Sequence, residues 1–151
     1  MRTFTSAAEL IAAKGEVLGT SDWVTITQEA VNQFAEATGD HQWIHVDPER
    51  AAAGPFGTTI AHGFMTLSLL PVLMHQMYTV EGIKLAINYG LNKVRFPSPV
   101  PVGSKVRATS TLVEAEELGD GALQLTVSTS IEVEGAGKPA CVAESLLRYM
   151  F

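Results

Sequence analysis

Cysteine is almost absent from this chain of 151 residues: Cys141 stands alone, so no internal disulfide can form. Its place in an alternating apolar stretch reads as a buried thiol and not as a nucleophile, and a reducing compartment fits. Basic residues are scarce too. Ten Lys and Arg against 16 Asp and Glu leave a formal net charge of -6, which gives neither nucleic acid nor an anionic membrane a favourable long-range field. No segment reaches the ~18 apolar residues of a membrane span, and the first residues lack the charged and then apolar pattern of a secretory signal. These absences predict a soluble, cytoplasmic protein with no membrane or nucleic-acid partner. There is no repeat or low-complexity tract, and Gly82 and Gly90 form no phosphate loop, which argues against a nucleotide site.

What the chain does have is apolar material, 46% of its residues, enough for one core and one domain spanning 1–151. A small helix is expected near Ser6 to Lys14 and a strand at Trp23 to Thr27. From Gln28 to Thr38, Val31, Phe34, Ala35 and Thr38 recur at helical spacing, with Thr27 as N-cap, Glu29 in the first turn and Gly39 ending the helix. Asp47-Pro48 reads as a second N-cap with proline at the first helical position, opening a short helix that closes at Gly54. Asp40 to Val46 is then a tight connector, neither helix nor strand, fixed at both ends. Such a connector can hold two side chains in a defined relation.

After His62-Gly63 the residues Phe64, Met65, Leu67, Leu69, Leu70, Val72, Leu73 and Met74 cover nearly the whole circumference of a helix, the pattern of one buried on most sides. Pro71 should kink it. Beyond Ile83 the pattern changes to strands: 84–95, 105–117, 122–134 and 139–150, separated by Gly119-Asp120-Gly121, Gly135-Ala136-Gly137 and a proline-rich turn at 97–103. Short connections imply antiparallel neighbours. In the third of these strands Leu123, Leu125, Val127, Thr129, Ile131 and Val133 share one face and polar residues the other. The apolar face needs cover, and the helix after His62 is the only segment apolar enough to supply it. The architecture predicted is α+β, an antiparallel sheet wrapped around a central helix.

Asp40 and His45, five positions apart in the connector, are the pair an acid/base site needs. Taken alone, the two residues fit other readings: Asp40 as a turn residue after the helix, His45 as a loop histidine with its hydrogen bonds met. His41, His45 and His62 with Asp40 and Asp47 also offer metal-ligand chemistry, but their spacing matches no strong metal motif.

Gly39-Asp40, two intervening positions, Trp43-Ile44-His45, then Ala51, Phe56, Ile60 and His62-Gly63 together resemble the MaoC-like, or (R)-specific enoyl-CoA hydratase, family of the hot-dog fold, and look especially like its small mycobacterial members. The likeness extends over most of the chain, including the order of catalytic connector, central helix and antiparallel strands. It implies a single hot-dog domain, (R)-specific hydration of trans-2-enoyl-CoA, a dimer, and no cofactor or metal; the apolar edge of a half-open sheet, which demands a partner, makes a homodimer the expected form. It also implies an Asp40/His45 dyad and an oxyanion site at the backbone amide of Gly63. The chain departs from the family pattern at Gln42-Trp43, where Asn-Pro is usual, which removes a fixed backbone angle and lengthens an amide side chain.

The chemistry asks for these groups: one to deprotonate the water attacking C3, a proton source for C2, and a donor for the charge that builds on the thioester oxygen. Gln42 is expected to orient the water or the dyad, and His62 to hold the turn before Gly63. Trp43, Phe56, Phe64, Met65, Leu67, Met74 and Met77 are candidates for an acyl channel, each equally a core residue. Lys93 and Arg95, with Lys84, Lys105 and Arg107, are candidates for the phosphates of CoA or of acyl carrier protein; Asn88 and Asn92 for a partner edge. Two other readings stay open. A hot-dog acyl-CoA thioesterase would need a carboxylate but not the paired histidine, and a non-catalytic acyl-CoA-binding subunit would bind without turnover.

Overall fold

Residues 1–151 are described by a computed structural model. The chain opens with β1 (Arg2–Phe4) and α1 (Ala7–Ala12), whose start is capped by the Ser6 hydroxyl accepting the Glu9 N–H. Two short strands follow, β2 (Val17–Thr20) and β3 (Val24–Thr25). Next comes α2 (Gln28–Thr38), with the bounds that periodicity predicts. Thr27 accepts the Ala30 N–H at one end, and Gly39 takes the left-handed conformation, φ 80°, at the other.

The connector departs from expectation in one respect: it contains a turn of helix, α3 (Trp43–Val46), followed directly by α4 (Pro48–Ala52). The reason is local. The Asp40 carboxylate accepts the Gln42 N–H at 3.3 Å, the His45 N–H bonds the Gln42 carbonyl, and Asp47 then caps α4 by accepting the Arg50 N–H. The connector is therefore more rigid than a plain loop.

The central helix is split as Pro71 requires, into α5 (Gly63–Ser68) and α6 (Leu70–Met74), with Leu69 between them. It is also less enclosed than its composition predicts, since Phe64 is 71% and Val72 50% exposed. The sheet lies against one side of it, where Met65, Leu70, Leu73 and Met74 are buried, and leaves the other side open.

A short strand, β4 (Tyr78–Val80), pairs in parallel with β1, a two-stranded element that the sequence reading did not foresee. The long strands β5 (Leu85–Arg95), β6 (Lys105–Leu118), β7 (Ala122–Val133) and β8 (Cys141–Met150) form an antiparallel sheet in the order β2-β6-β7-β8-β5, with β3 joining β6. Alternation along β7 buries Leu123, Leu125, Val127, Thr129, Ile131 and Val133, and these pack with the helix face into one core that also takes in Cys141. The α+β architecture agrees with the prediction. At the edge of the sheet, β5 pairs only with β8 and leaves Leu85, Tyr89 and Leu91 on the surface.

Candidate functional site

The connector and the start of α5 meet where the core ends, and two buried imidazoles lie at the junction. His45 is held by its own backbone and ring. Its carbonyl accepts the Gln28 side-chain amide at 2.7 Å, and its Nδ1 lies 2.6 Å from the Ile60 carbonyl. Gln28 is fixed in turn by the Thr59 hydroxyl, which donates to its Oε1. A carbonyl can only accept, so Nδ1 carries the proton and Nε2 is left as a lone pair. Burial pushes the His45 pKa below its ordinary 6.5, opposed by the bond to Ile60 and reinforced by His62. The ring is thus neutral near pH 7, with its basic nitrogen free.

His62 has the opposite tautomer. Its Nε2 donates to the backbone carbonyl of Asp40 at 2.9 Å, and the Asp40 carboxylate is 4.0 Å from the same nitrogen. The two rings stack at 3.8 Å and 24°, and Phe34 packs 4.9 Å from His62, so the imidazole is held between α2 and His45. Nδ1 of His62 is buried without a hydrogen-bond partner. The contact made by the His62 ring is with the backbone of Asp40, which it ties down.

One side-chain oxygen or ring nitrogen from each of Asp40, His45 and His62 lies within 4.8 Å of the others. A divalent cation would need a point about 2 Å from each ligand nitrogen and in the plane of each ring. Imidazoles stacked 3.8 Å apart at 24° share no such point, so this is not a metal centre by geometry. The spacing suits a water instead: two hydrogen bonds of ~2.8 Å meeting at one oxygen span roughly 4.5 to 5 Å.

Gly63 is the first residue of α5, where an N–H has no acceptor within the helix. With His45, Phe56, Thr66, Phe96 and Val100 it lines a cavity of about 360 Å³. A side chain at Gly63 would meet the Phe96 ring at 3.1 Å, so glycine is what lets the ring close over this turn. A second, larger cavity of about 680 Å³ runs beside the helix and is lined by Leu67, Leu70, Pro71, Met74, Leu147 and others.

The residues proposed from sequence therefore separate. Asp40, His45 and His62 come together beside Gly63, and Phe56 lines the smaller cavity with His45 and Gly63. Gln42 takes part through its backbone N–H on Asp40, and its side chain is exposed. Trp43 lies under the Arg50 guanidinium, 4.4 Å away, and against Gly54, outside both cavities. Leu67, Met74 and Asn88 line the larger cavity, while Met65 and Met77 are core. Lys93 and Arg95 are exposed on β5, three positions and one position before Phe96, which lines the smaller cavity; neither of the two lines it. Gln28, Thr59 and the Ile60 carbonyl were missed. Gln28 read simply as the first residue of a helix, and nothing in spacing shows which carbonyl a ring will meet.

Comparison with known proteins adds an independent line. The MaoC like domain model matches residues 9–134. A Mycobacterium tuberculosis protein named 3-hydroxyacyl-thioester dehydratase Z is 78% identical over 150 residues, 99% of each chain. Nodulation protein N of Rhizobium leguminosarum is 45% identical over 91% of this chain and 87% of its own. Among solved structures, the (R)-hydratase from A. caviae involved in PHA biosynthesis superposes with a TM-score of 0.69 at 27% identity, over 87% of this chain and 95% of that one.

Proposed function

The chain belongs to the MaoC-like family and is an enzyme, a dehydratase of that hot-dog type, and from this premise we propose that it interconverts trans-2-enoyl and (R)-3-hydroxyacyl thioesters by adding or removing water. The observation that carries the mechanism is the His45 Nδ1 contact with the Ile60 carbonyl, which leaves Nε2 as an oriented base. In hydration, Nε2 takes a proton from the water that attacks C3, while the Asp40 carboxylate holds the same water. The imidazolium so formed, with Asp40 close by, returns a proton to C2. The Gly63 N–H receives the charge that builds on the thioester oxygen between these steps. General acid/base assistance contributes ~100- to 10,000-fold, and one oxyanion donor ~100- to 1000-fold.

The larger cavity is largely apolar and starts beside Leu67, one turn beyond Gly63, so an acyl chain whose carbonyl sits on the Gly63 amide has room along the helix. The carrier, CoA or acyl carrier protein, lies on the other side of the thioester, where Arg95 directly precedes the cavity residue Phe96 and Lys93 is two positions earlier on the same strand. These two cations would meet its phosphate. The reading includes a homodimer, and β5 supports it: a long edge strand with Leu85, Tyr89 and Leu91 exposed calls for a partner, and a second β5 would supply one. Sedimentation analysis should give twice the chain mass, and a 16.1 kDa species would remove the dimer.

The deciding experiment mixes the purified protein with trans-2-enoyl-CoA and follows loss of the conjugated thioester absorbance, with chiral analysis of the product and a thiol assay. The expected result is (R)-3-hydroxyacyl-CoA without thiol release. Free thiol would establish the thioesterase instead, and a flat trace with binding a non-catalytic subunit.

A further inference from the structure

The wall of the larger cavity is largely apolar, with Ser68, His75, Thr79, Asn88 and Ser145 among its polar residues, and it holds one pair of phenols. Tyr78, at the start of β4, and Tyr149, near the end of β8, both line it, and their hydroxyl oxygens are 2.9 Å apart. Both side chains are buried, 4% and 8% exposed, and Phe4 packs edge-on against the Tyr78 ring at 6.1 Å, so neither hydroxyl is free to swing to the surface. Burial raises both phenols above their ordinary range, and both keep their protons at any working pH.

Two hydroxyls then share a single hydrogen bond. One donates to the other, and the second has a proton with no acceptor on the protein. A donor buried without an acceptor is costly, and where it faces a cavity the missing acceptor belongs to what fills that cavity. The helix gives the position of this group relative to the chemistry: from Gly63 to Met74 is eleven residues, about 16 Å at the helical rise. The tyrosines therefore meet the far part of an acyl chain and not its thioester.

We infer that the cavity recognises an acyl tail carrying an oxygen near its distal end, a carbonyl oxygen that accepts the free tyrosine O–H. This rests on the thioester reading for the attached end of the chain. Leu70, Met74, Ile83 and Leu147 supply the apolar wall for the methylenes, and the tyrosine pair is a specificity-determining device, remote from the reacting atoms. A plain alkyl tail would cover the hydroxyl without pairing it.

The test compares two enoyl-CoA substrates of equal, medium length, one ending in an alkyl group and one in a methyl ketone. Wild type should favour the ketone about tenfold in kcat/KM, the scale of one neutral hydrogen bond. Tyr78→Phe and Tyr149→Phe each leave one hydroxyl, with its proton released for the ligand, so each single variant keeps part of the preference. The double variant should lose it and favour the alkyl tail. Replacing both partners by phenyl rings conserves the packing, so the double variant is expected to fold. Calorimetry with the corresponding saturated acyl-CoA pair reads the same preference without turnover. Tighter ketone binding with no turnover of either enoyl substrate keeps this inference and removes the dehydratase reading. Equal binding and equal turnover of the two tails, or a preference that survives in the double variant, overturns it.

Discussion

The two ends of the α5–α6 helix are built by opposite means. At the Gly63 end the important side chains are fixed by backbone carbonyls: His45 by Ile60, His62 by Asp40, with Gln28 bonding the carbonyl of His45 itself. At the Met74 end the walls are mostly Leu, Met, Pro and Ile, and the polar groups among them include a buried pair of tyrosine hydroxyls that bond each other. Carbonyl contacts fix which nitrogen has the proton and where it points, which chemistry requires. Apolar packing fixes volume, which chain selection requires. The difference implies that substitutions at the first end change rate and those at the second change preference.

Removing the proposed base should break the comparison most strongly. His45→Ala and Asp40→Asn are each expected to lower kcat/KM by about 100-fold or more, with the circular dichroism spectrum unchanged, because the scale of general acid/base catalysis applies and the connector is outside the main core. The double variant should lose far less than the product of the two if both groups serve one water, as proposed. Full additivity would separate their roles.

His62→Phe is the next largest. The ring still packs between Phe34 and His45, but the bond to the Asp40 carbonyl is gone. About a tenfold loss of kcat/KM is expected from a displaced Asp40, while a shift of 1 Å can cost 100-fold. A purely structural role would leave the pH profile in place. Here the acid limb should move to higher pH, because His62 is one of the groups that lowers the His45 pKa. An unmoved limb would reduce His62 to packing.

Smaller still is Gly63→Ala. The added Cβ lies 3.1 Å from the Phe96 ring, which must shift by a few tenths of an ångström, and Phe96 is partly exposed and can do so. A loss under about tenfold in kcat/KM is expected, recovered when Phe96→Leu is added. Recovery would show that glycine is there for the ring; no recovery would point to the amide itself.

Much of the scaffold was legible in the sequence because its signals are local. Thr27 and Gly39 bound α2, Asp47-Pro48 opens α4, and alternation marks β6 to β8 almost to the residue. The parallel β1–β4 pair was not legible, since three-residue strands 70-odd positions apart have no periodicity to read. The turn α3 was hidden for a similar reason: it depends on one Asp40 carboxylate bonding the Gln42 backbone. For the site, residue identity and resemblance brought out Asp40, His45 and Gly63, but not the geometry that assigns them. The His45–His62 stack joins two loops, and the spare proton on the tyrosine pair appears only when β4 and β8 are seen side by side.

The smallest expected effect is on stability, and its sign distinguishes the two kinds of histidine in the connector. His45 is buried and its folded pKa is below the ordinary 6.5, so between those two values the unfolded chain binds more protons than the folded one. Its contribution is fully present above about pH 6.5 and is lost as pH falls toward the folded value. His41 is exposed and its pKa is raised, chiefly by the hydrogen bond to Glu36 at 2.7 Å, so its contribution is present below 6.5 and is lost as pH rises. Solvent screens the His41 pair, so the buried ring should dominate. Denaturant midpoints measured from pH 7.5 down to about pH 5 should therefore fall, and the fall should be shallower in His45→Gln, which has no proton to gain. His41→Gln should make it slightly steeper. If the midpoint instead rises toward pH 5 in the wild type, or if His45→Gln leaves the slope untouched, the His45 ring is not held neutral by burial, and the assignment of Nε2 as a ready base near neutral pH fails with it.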